Sequence, residues 1–276
     1  MSKTILVLLD GCGFEAATEN LGYAEHLAES GLGSKFKIMG ELPSLSRPMY
    51  ETILTGLPVH IHHISNNLDV RRSEHESIFS ICRKSGLTTA ASAYYWISEL
   101  YCSAPFQYVT DRIRLNGDGL ICNGIFYYED CYPDSHVFTD AEFLRKTCNP
   151  DFLLIHSMNI DDEGHKHGVA SSEYNTAVAR AGIILSAFLP LWIAEGYNVV
   201  ITSDHGMNAH RLHGGNTSIQ REVPLYLFGA KVRPGNFCEE TVSELADAPL
   251  ICALLGLQPP TGMKRLADLG VKFFYE

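Results

Sequence analysis

Three strand-length apolar runs, each breaking off at side chains that bind protons or cations, constrain this chain more than any other feature. "KTILVLL" (3–9) stops at Asp10, "DFLLIHS" (151–157) runs into "MNIDDEGHKHG", and "YNVVITS" (197–203) runs into "DHGMNAH". A continuous apolar run of this length marks a strand buried on both faces of a parallel sheet. Open α/β sheets place their chemistry beyond the carboxyl ends of such strands. The three polar tails are therefore expected to meet at one sheet edge.

Helical patterns over 16–30, 47–56, 172–195 and 244–256 fill the intervals, the last closed by Gly256 with Pro259 and Pro260 just beyond. The alternation implies an α/β fold, a mostly parallel central sheet with helices on both faces. Residues 94–135 are rich in aromatics and broken by Gly, Asn and Pro. The stretch at about 97–140 is expected to form a small cap insertion on a single catalytic domain spanning 1–276. The apolar run 181–194 is shorter than a bilayer span and contains Pro190, so it reads as a buried helix and no membrane association is expected.

The net charge is −11, and no basic cluster exceeds "DVRRSE" at 69–74. A nucleic-acid groove needs many cations, so that class of partner is excluded. Part of the negative charge can instead be metal ligands. The eight cysteines show no C-x-x-C spacing, which excludes a zinc ribbon and a thioredoxin-like motif. With no signal-peptide pattern at the start, reduced thiols and a cytoplasmic location are expected. The oligomeric state stays open.

Within "DDEGHKHG", Asp161 and His165 are spaced D-x-x-x-H, with Asp162 and His167 in the same turn. Carboxylate and neutral imidazole together suit zinc or another divalent ion; a solvated acidic loop is the plainer alternative. Asp204 and His205 are adjacent, and His213 precedes two glycines, with His210 as its competitor. With Asp10 these make three carboxylates and three imidazoles. Carboxylates converging without cations would repel one another, a difficulty that two divalent ions remove. In "LPSLSRPMYETILTG", Ser46 stands at a helix start, where a serine is a common cap. A nearby cation and the helix end would instead make it a nucleophile. His60, His62 and His63 in "VHIHH" read as a loop or edge strand without a catalytic role.

Taken in order, "LLDG", "PSLSRPMYETILTGLP", "DDEGHKHG", "SDHGM" and "HGG…VPLYLFG" resemble the alkaline phosphatase superfamily. Within it the chain resembles the type I phosphodiesterase/nucleotide pyrophosphatase family, whose nucleophile segment reads P-T-x-T-F-P-N-H-Y-T-x-x-T-G-L. The resemblance implies an alkaline-phosphatase-like three-layer sandwich with Ser46 as nucleophile. It implies two divalent metal ions, zinc first, with manganese and iron as alternatives. Asp161, His165 and His213 would hold one; Asp10, Asp204 and His205 would hold the other, with the Ser46 oxygen shared. Asn67 would donate to a non-bridging phosphoryl oxygen, and Trp96 would lie near the substrate. Arg47, Met49 and Tyr50 replace the family's Phe, Asn and His, so leaving-group preference does not carry over. Sulfatases of the superfamily are set aside, because Ser46 stands where they have Cys and Tyr50 where they have arginine.

The implied activity is metal-dependent hydrolysis of phosphodiester or pyrophosphate-type bonds through a covalent phospho-serine. The substrate would be a small-molecule phosphoester, a nucleotide among the candidates. Tyr94, Tyr95, Trp96, Phe106 and Tyr108 would stack on a base or else pack a core. Arg47 could grip a terminal phosphate or turn away into an ion pair. A phosphomonoesterase and a phosphonate hydrolase are the alternatives within the superfamily; from another class, so is a metal-dependent ligand sensor without turnover.

Overall fold

The computed structural model describes residues 2–270 and 272–274. Its strands are β1 (Lys3–Leu9), β2 (Ser34–Met39), β3 (Thr89–Tyr94), β4 (Ile113–Arg114), β5 (Asn123–Tyr127), β6 (Phe152–Ser157), β7 (Tyr197–Thr202), β8 (Glu222–Phe228) and β9 (Gly235–Ser243). The helices are α1 (Phe14–Asn20), α2 (Gly22–Glu29), α3 (Ser46–Thr55), α4 (Val59–His62), α5 (Ile78–Lys84) and α6 (Tyr95–Tyr101). They continue as α7 (Tyr108–Asp111), α8 (Asp134–Cys148), α9 (Asn159–His167), α10 (Ser172–Ala194), α11 (Ser218–Arg221) and α12 (Asp247–Leu255).

The strands form one sheet in the order β4-β5-β3-β6-β1-β7-β8-β2-β9. From β5 to β7 every pairing is parallel, and only β4 and β8 run against the rest. The three apolar runs are the three central strands. In β1, Leu6 and Leu8 enter the core cluster on one face while Ile5, Val7 and Leu9 enter the other. All five are fully buried. Helices α3, α5, α6 and α12 cover the first face, and α1, α2, α8 and α10 the second. The result is the expected three-layer sandwich.

Three local expectations are revised, and the helix expected over 172–195 is observed. The segment 97–140 is not set wholly beside the sheet: β5 pairs in parallel with β3, and β4 adds an antiparallel end strand. Its frequent Gly and Asn disguise a sheet margin. The helix expected over 16–30 is two helices meeting at Leu21. "VHIH" is the short helix α4, and buried His62 is held between Thr52 and the Ile64 N–H. The run 181–194 belongs to the 23-residue α10, long and apolar enough to cross a membrane by length and composition. One face of α10, with Tyr174, Val178, Ala181, Leu185, Leu189 and Trp192, is buried in the second core.

Candidate active site

Register brings the carboxylates together. Leu8 pairs with Thr202, which sets Asp10 and Asp204, two residues further on, at the same height beyond the sheet. Leu9 pairs with Ser157, so α9 starts beside them and turns Asp161 inward. Gly11 permits the approach: it has φ +73°, and a Cβ there would sit 2.8 Å from the Asp161 Cα. On α9, Asp161 and His165 share a face as an i, i+4 pair, 3.4 Å apart. Asp162 and His167 turn away to pair with Lys166 and Glu163. His210 is bonded through its own backbone to Asn208 and stands outside the cluster.

Ser46 is the first residue of α3, a helix buried along its whole length and closed by Gly56 in the left-handed conformation. Its hydroxyl lies 3.1 Å from His205 Nε2. Donor atoms of Asp10, Asp204 and His205 fall within 4.8 Å of one another, as do those of Asp161, His205 and His213. His205 is thus common to both groups. His165 Nε2 adjoins the second group, 3.2 Å from His213 Nε2. The His205 and His213 rings stack at 3.7 Å. Six side chains from distant parts of the chain therefore gather in a cluster centred on His205, whose Nε2 touches the Ser46 hydroxyl.

The hydrogen bonds behind these histidines set their tautomers. His205 Nδ1 faces the Gly206 carbonyl, His213 Nδ1 the Ser44 carbonyl and His165 Nδ1 the Arg211 carbonyl, at 3.1, 3.0 and 3.0 Å. A carbonyl only accepts, so each Nδ1 carries the proton and each Nε2 presents a lone pair to the centre. Burial lowers the pKa of His205 and His213 to about 3, leaving both neutral, the form that ligates. The carboxylates are stressed in the opposite direction. Burial raises Asp10 and Asp161 well above the usual range, with Asp204 adding to both, and burial lifts Asp204 to about 6. Asp10 Oδ1, Asp161 Oδ1 and Asp204 Oδ2 are buried without any hydrogen-bond partner. Orphaned carboxylate oxygens beside neutral imidazole lone pairs fit divalent metal ions.

The substrate-side residues lie differently. Arg47 is 1% exposed and its guanidinium bonds Glu99 at 2.7 Å while covering the Trp96 ring at 4.7 Å. It is a strut tying α3 to α6, not a free fork for phosphate. Asn67 Oδ1 accepts from the Arg47 backbone N–H at 3.0 Å, the amide next to the nucleophile. Trp96 is half-buried and also packs on Tyr50 and Tyr94. Two residues with a bearing on the site escaped the sequence reading, His156 and Glu99, and Tyr50 entered it only as a departure from the family segment. His156 did leave a signal, as a lone imidazole inside an apolar strand. Tyr50 donates to Asp10 Oδ2, and His156 Nε2 reaches the same oxygen at 3.0 Å.

A model of the type I phosphodiesterase / nucleotide pyrophosphatase family matches residues 4–221. The chain belongs to this family. Curated relatives include the catalytic subunit of GPI ethanolamine phosphate transferase 3 from Homo sapiens, 27% identical over 115 residues. The Mus musculus protein of the same name is 26% identical over 117. Each match covers 41% of this chain and 10% of the relative, so the chain matches about a tenth of their length. Among solved structures, murine ectonucleotide pyrophosphatase / phosphodiesterase 5 superposes with a TM-score of 0.72 at 14% identity, over 97% of this chain and 100% of that one. An inactive form of it in complex with AMP gives 0.71 at 14%, over 98% and 100%. The phosphonate monoester hydrolase of Agrobacterium radiobacter gives 0.69 at 12%, over 98% and 77%. These likenesses establish the alkaline-phosphatase-like fold. The family and these neighbours belong to a metal-dependent superfamily of hydrolases.

Proposed function

We propose that this chain is a two-metal hydrolase of phosphodiester or pyrophosphate-type bonds, acting through a covalent phospho-serine at Ser46. The observation that carries the reading is the Ser46 hydroxyl, 3.1 Å from His205 Nε2, set among three carboxylates that each keep one orphaned oxygen. Asp161, His165 and His213 would hold one divalent ion, and Asp10, Asp204 and His205 the other. The N/O donor set favours zinc, with manganese and iron as alternatives. Bound ions of this kind neutralise the carboxylates and lower the pKa of a hydroxyl beside them.

Ser46 Oγ, its proton lost, attacks phosphorus from the N-terminus of α3, where the helix dipole favours negative charge. The phosphorus–oxygen bond to the leaving group breaks as the new ester forms. Water then opens the phospho-serine and restores the hydroxyl. The Asn67 amide NH2 makes no hydrogen bond among the described residues, and we assign it to a non-bridging phosphoryl oxygen. With Arg47 committed to Glu99, the site lacks the fork that a monoester dianion would use. This supports a diester monoanion as substrate. The AMP complex of the solved neighbour supports a nucleotide, with half-buried Tyr95 and Trp96 as stacking faces.

The curated relatives' name favours a second ending, in which the same covalent group passes to an alcohol instead of water. The test is turnover of bis(p-nitrophenyl) phosphate and p-nitrophenyl phosphate by zinc- or manganese-loaded protein, beside Ser46→Ala and with ethanolamine as an added acceptor. Diester turnover that Ser46→Ala abolishes is the expected result. Monoester preference would move the assignment to a phosphomonoesterase. An ethanolamine phosphoester product would identify a transferase, and no turnover of either ester would favour a ligand sensor.

A further inference from the structure

The three carboxylates are not held alike. Asp204 Oδ1 takes the Gly11 backbone N–H at 3.1 Å. Asp161 has His165 and His213 near its oxygens, with His205 in the same group. Asp10 alone is gripped by two side chains from different layers, both on Oδ2: the Tyr50 hydroxyl from α3 and the His156 imidazole from β6. His156 is built opposite to the other three histidines. Its Nδ1 accepts the Tyr94 backbone N–H at 3.3 Å, so Nε2 carries the proton and can only donate. It has no lone pair left for an ion. Oδ1 of Asp10 is the oxygen left without a donor, 3.5 Å from His205 Nε2.

We propose that Tyr50 and His156 are positioning residues that pin Asp10 Oδ2, so that the Asp10/Asp204/His205 site meets its divalent ion with a single oxygen from Asp10. The proposal rests on the two-metal reading above. A carboxylate whose second oxygen already serves two donors cannot rotate into a two-oxygen grip without breaking both bonds. One-oxygen ligation keeps the coordination number low, which suits tetrahedral zinc, whereas calcium takes more oxygens and accepts two from one carboxylate. The clamp therefore sets metal choice at one site and leaves the other alone. Tyr50 stands where the family segment has His and the sulfatase segment arginine, so this device follows from the residues of this chain.

The test is zinc binding to chelator-stripped protein in competition with a chromophoric chelator, repeated with calcium. Wild type is expected to bind two zinc ions. Tyr50→Phe keeps the ring against Trp96 and His156 but deletes the hydroxyl; His156→Phe deletes the second donor. Each is expected to weaken zinc at one site by about 10–100-fold and spare the other, with a smaller preference for zinc over calcium at the weakened site. His156→Gln, which restores a donor near the Nε2 position, is expected to recover most of the loss. Unchanged affinity at both sites in Tyr50→Phe would overturn the clamp and leave the two-metal reading standing. Equal weakening of both sites, with a lower thermal midpoint of the metal-free protein, would reduce the pair to packing and also overturn it. A wild type that binds no zinc would remove the two-metal reading and the clamp with it. If His156→Phe fails to fold, Tyr50→Phe decides alone.

Discussion

At the start of α3, Ser46 and its neighbour Arg47 open onto two buried charge clusters of opposite design. Ser46 touches His205, which belongs to a cluster with Asp10, Asp161 and Asp204, acidic groups that each keep one orphaned oxygen among the described residues. Arg47 sinks into an ion pair with Glu99, whose other oxygen takes the Phe106 N–H at 2.9 Å. Both clusters are buried, so burial alone does not separate function from structure. What separates them is closure. The Arg47 cluster closes with groups the chain supplies, apart from the orphaned Nη1. Among the described residues the carboxylate cluster has only imidazoles as ion-pair partners. A buried charge that finds its counter-charge within the chain can hold the fold, whereas unpaired buried carboxylates cost stability.

The comparison breaks most readily at Ser46. Ser46→Ala is expected to cut diester kcat by about 10³–10⁵-fold while zinc content by metal analysis stays near two; full activity in this variant would leave the pocket without a nucleophile. Glu99→Ala leaves Arg47 buried and unpaired, and should cost about 3–5 kcal/mol in urea unfolding. A loss below about 1 kcal/mol would show that the strut is not the closed cluster described here.

Asp204→Asn should act in the opposite sense. It removes a carboxylate that burial lifts to about 6, so the metal-free protein should gain about 1–3 kcal/mol while losing zinc affinity. Destabilisation of the metal-free protein by this change would contradict the picture of a carboxylate penalised by burial.

The smallest effect is a pH slope. Above the ordinary histidine pKa, His205 and His213, held down to about 3, are neutral in folded and unfolded chains alike and add no slope. Buried Asp10 and Asp161 are raised well above their usual range by burial and by Asp204, so the metal-free folded chain holds their protons to a higher pH than the unfolded chain does. The folded state then binds more protons, so metal-free stability falls as pH rises, by up to about 1.4 kcal/mol per pH unit for each carboxyl still titrating. Below the ordinary histidine pKa the two histidines oppose this trend, since the unfolded chain protonates them first. Thermal midpoints measured as pH rises should fall more steeply without zinc than with it, since Asp134 and Asp247, raised by burial to about 7 and about 8, titrate in both forms. A flat metal-free profile would remove the evidence for strained carboxylates.

The central strands and their polar tails were legible because burial on both faces leaves an uninterrupted apolar run, and because chemistry at a strand end interrupts it abruptly. The position of Ser46 was legible as the start of the helical pattern over 47–56 and from the family's nucleophile segment. Arg47 was not: its partner Glu99 lies beyond α4, α5 and β3, and nothing near Arg47 in sequence distinguishes a phosphate fork from a strut. The stretch containing β5 misled because a short strand at the sheet margin tolerates Gly and Asn that a central strand would not. His156 was overlooked because its run satisfied the strand pattern and the imidazole was absorbed into it.

Residue types and their spacing were enough to specify a parallel sheet, the strand ends where polar groups collect, and which side chains are able to ligate. Those are consequences of periodicity and of intrinsic chemistry, both properties of short stretches of chain. Which nitrogen of each histidine carries the proton, which oxygen of Asp10 is left over, and whether Arg47 faces a substrate or Glu99 were decided only in three dimensions. Hydrogen bonds act over about 3 Å and in fixed directions, so they depend on groups that only folding brings together.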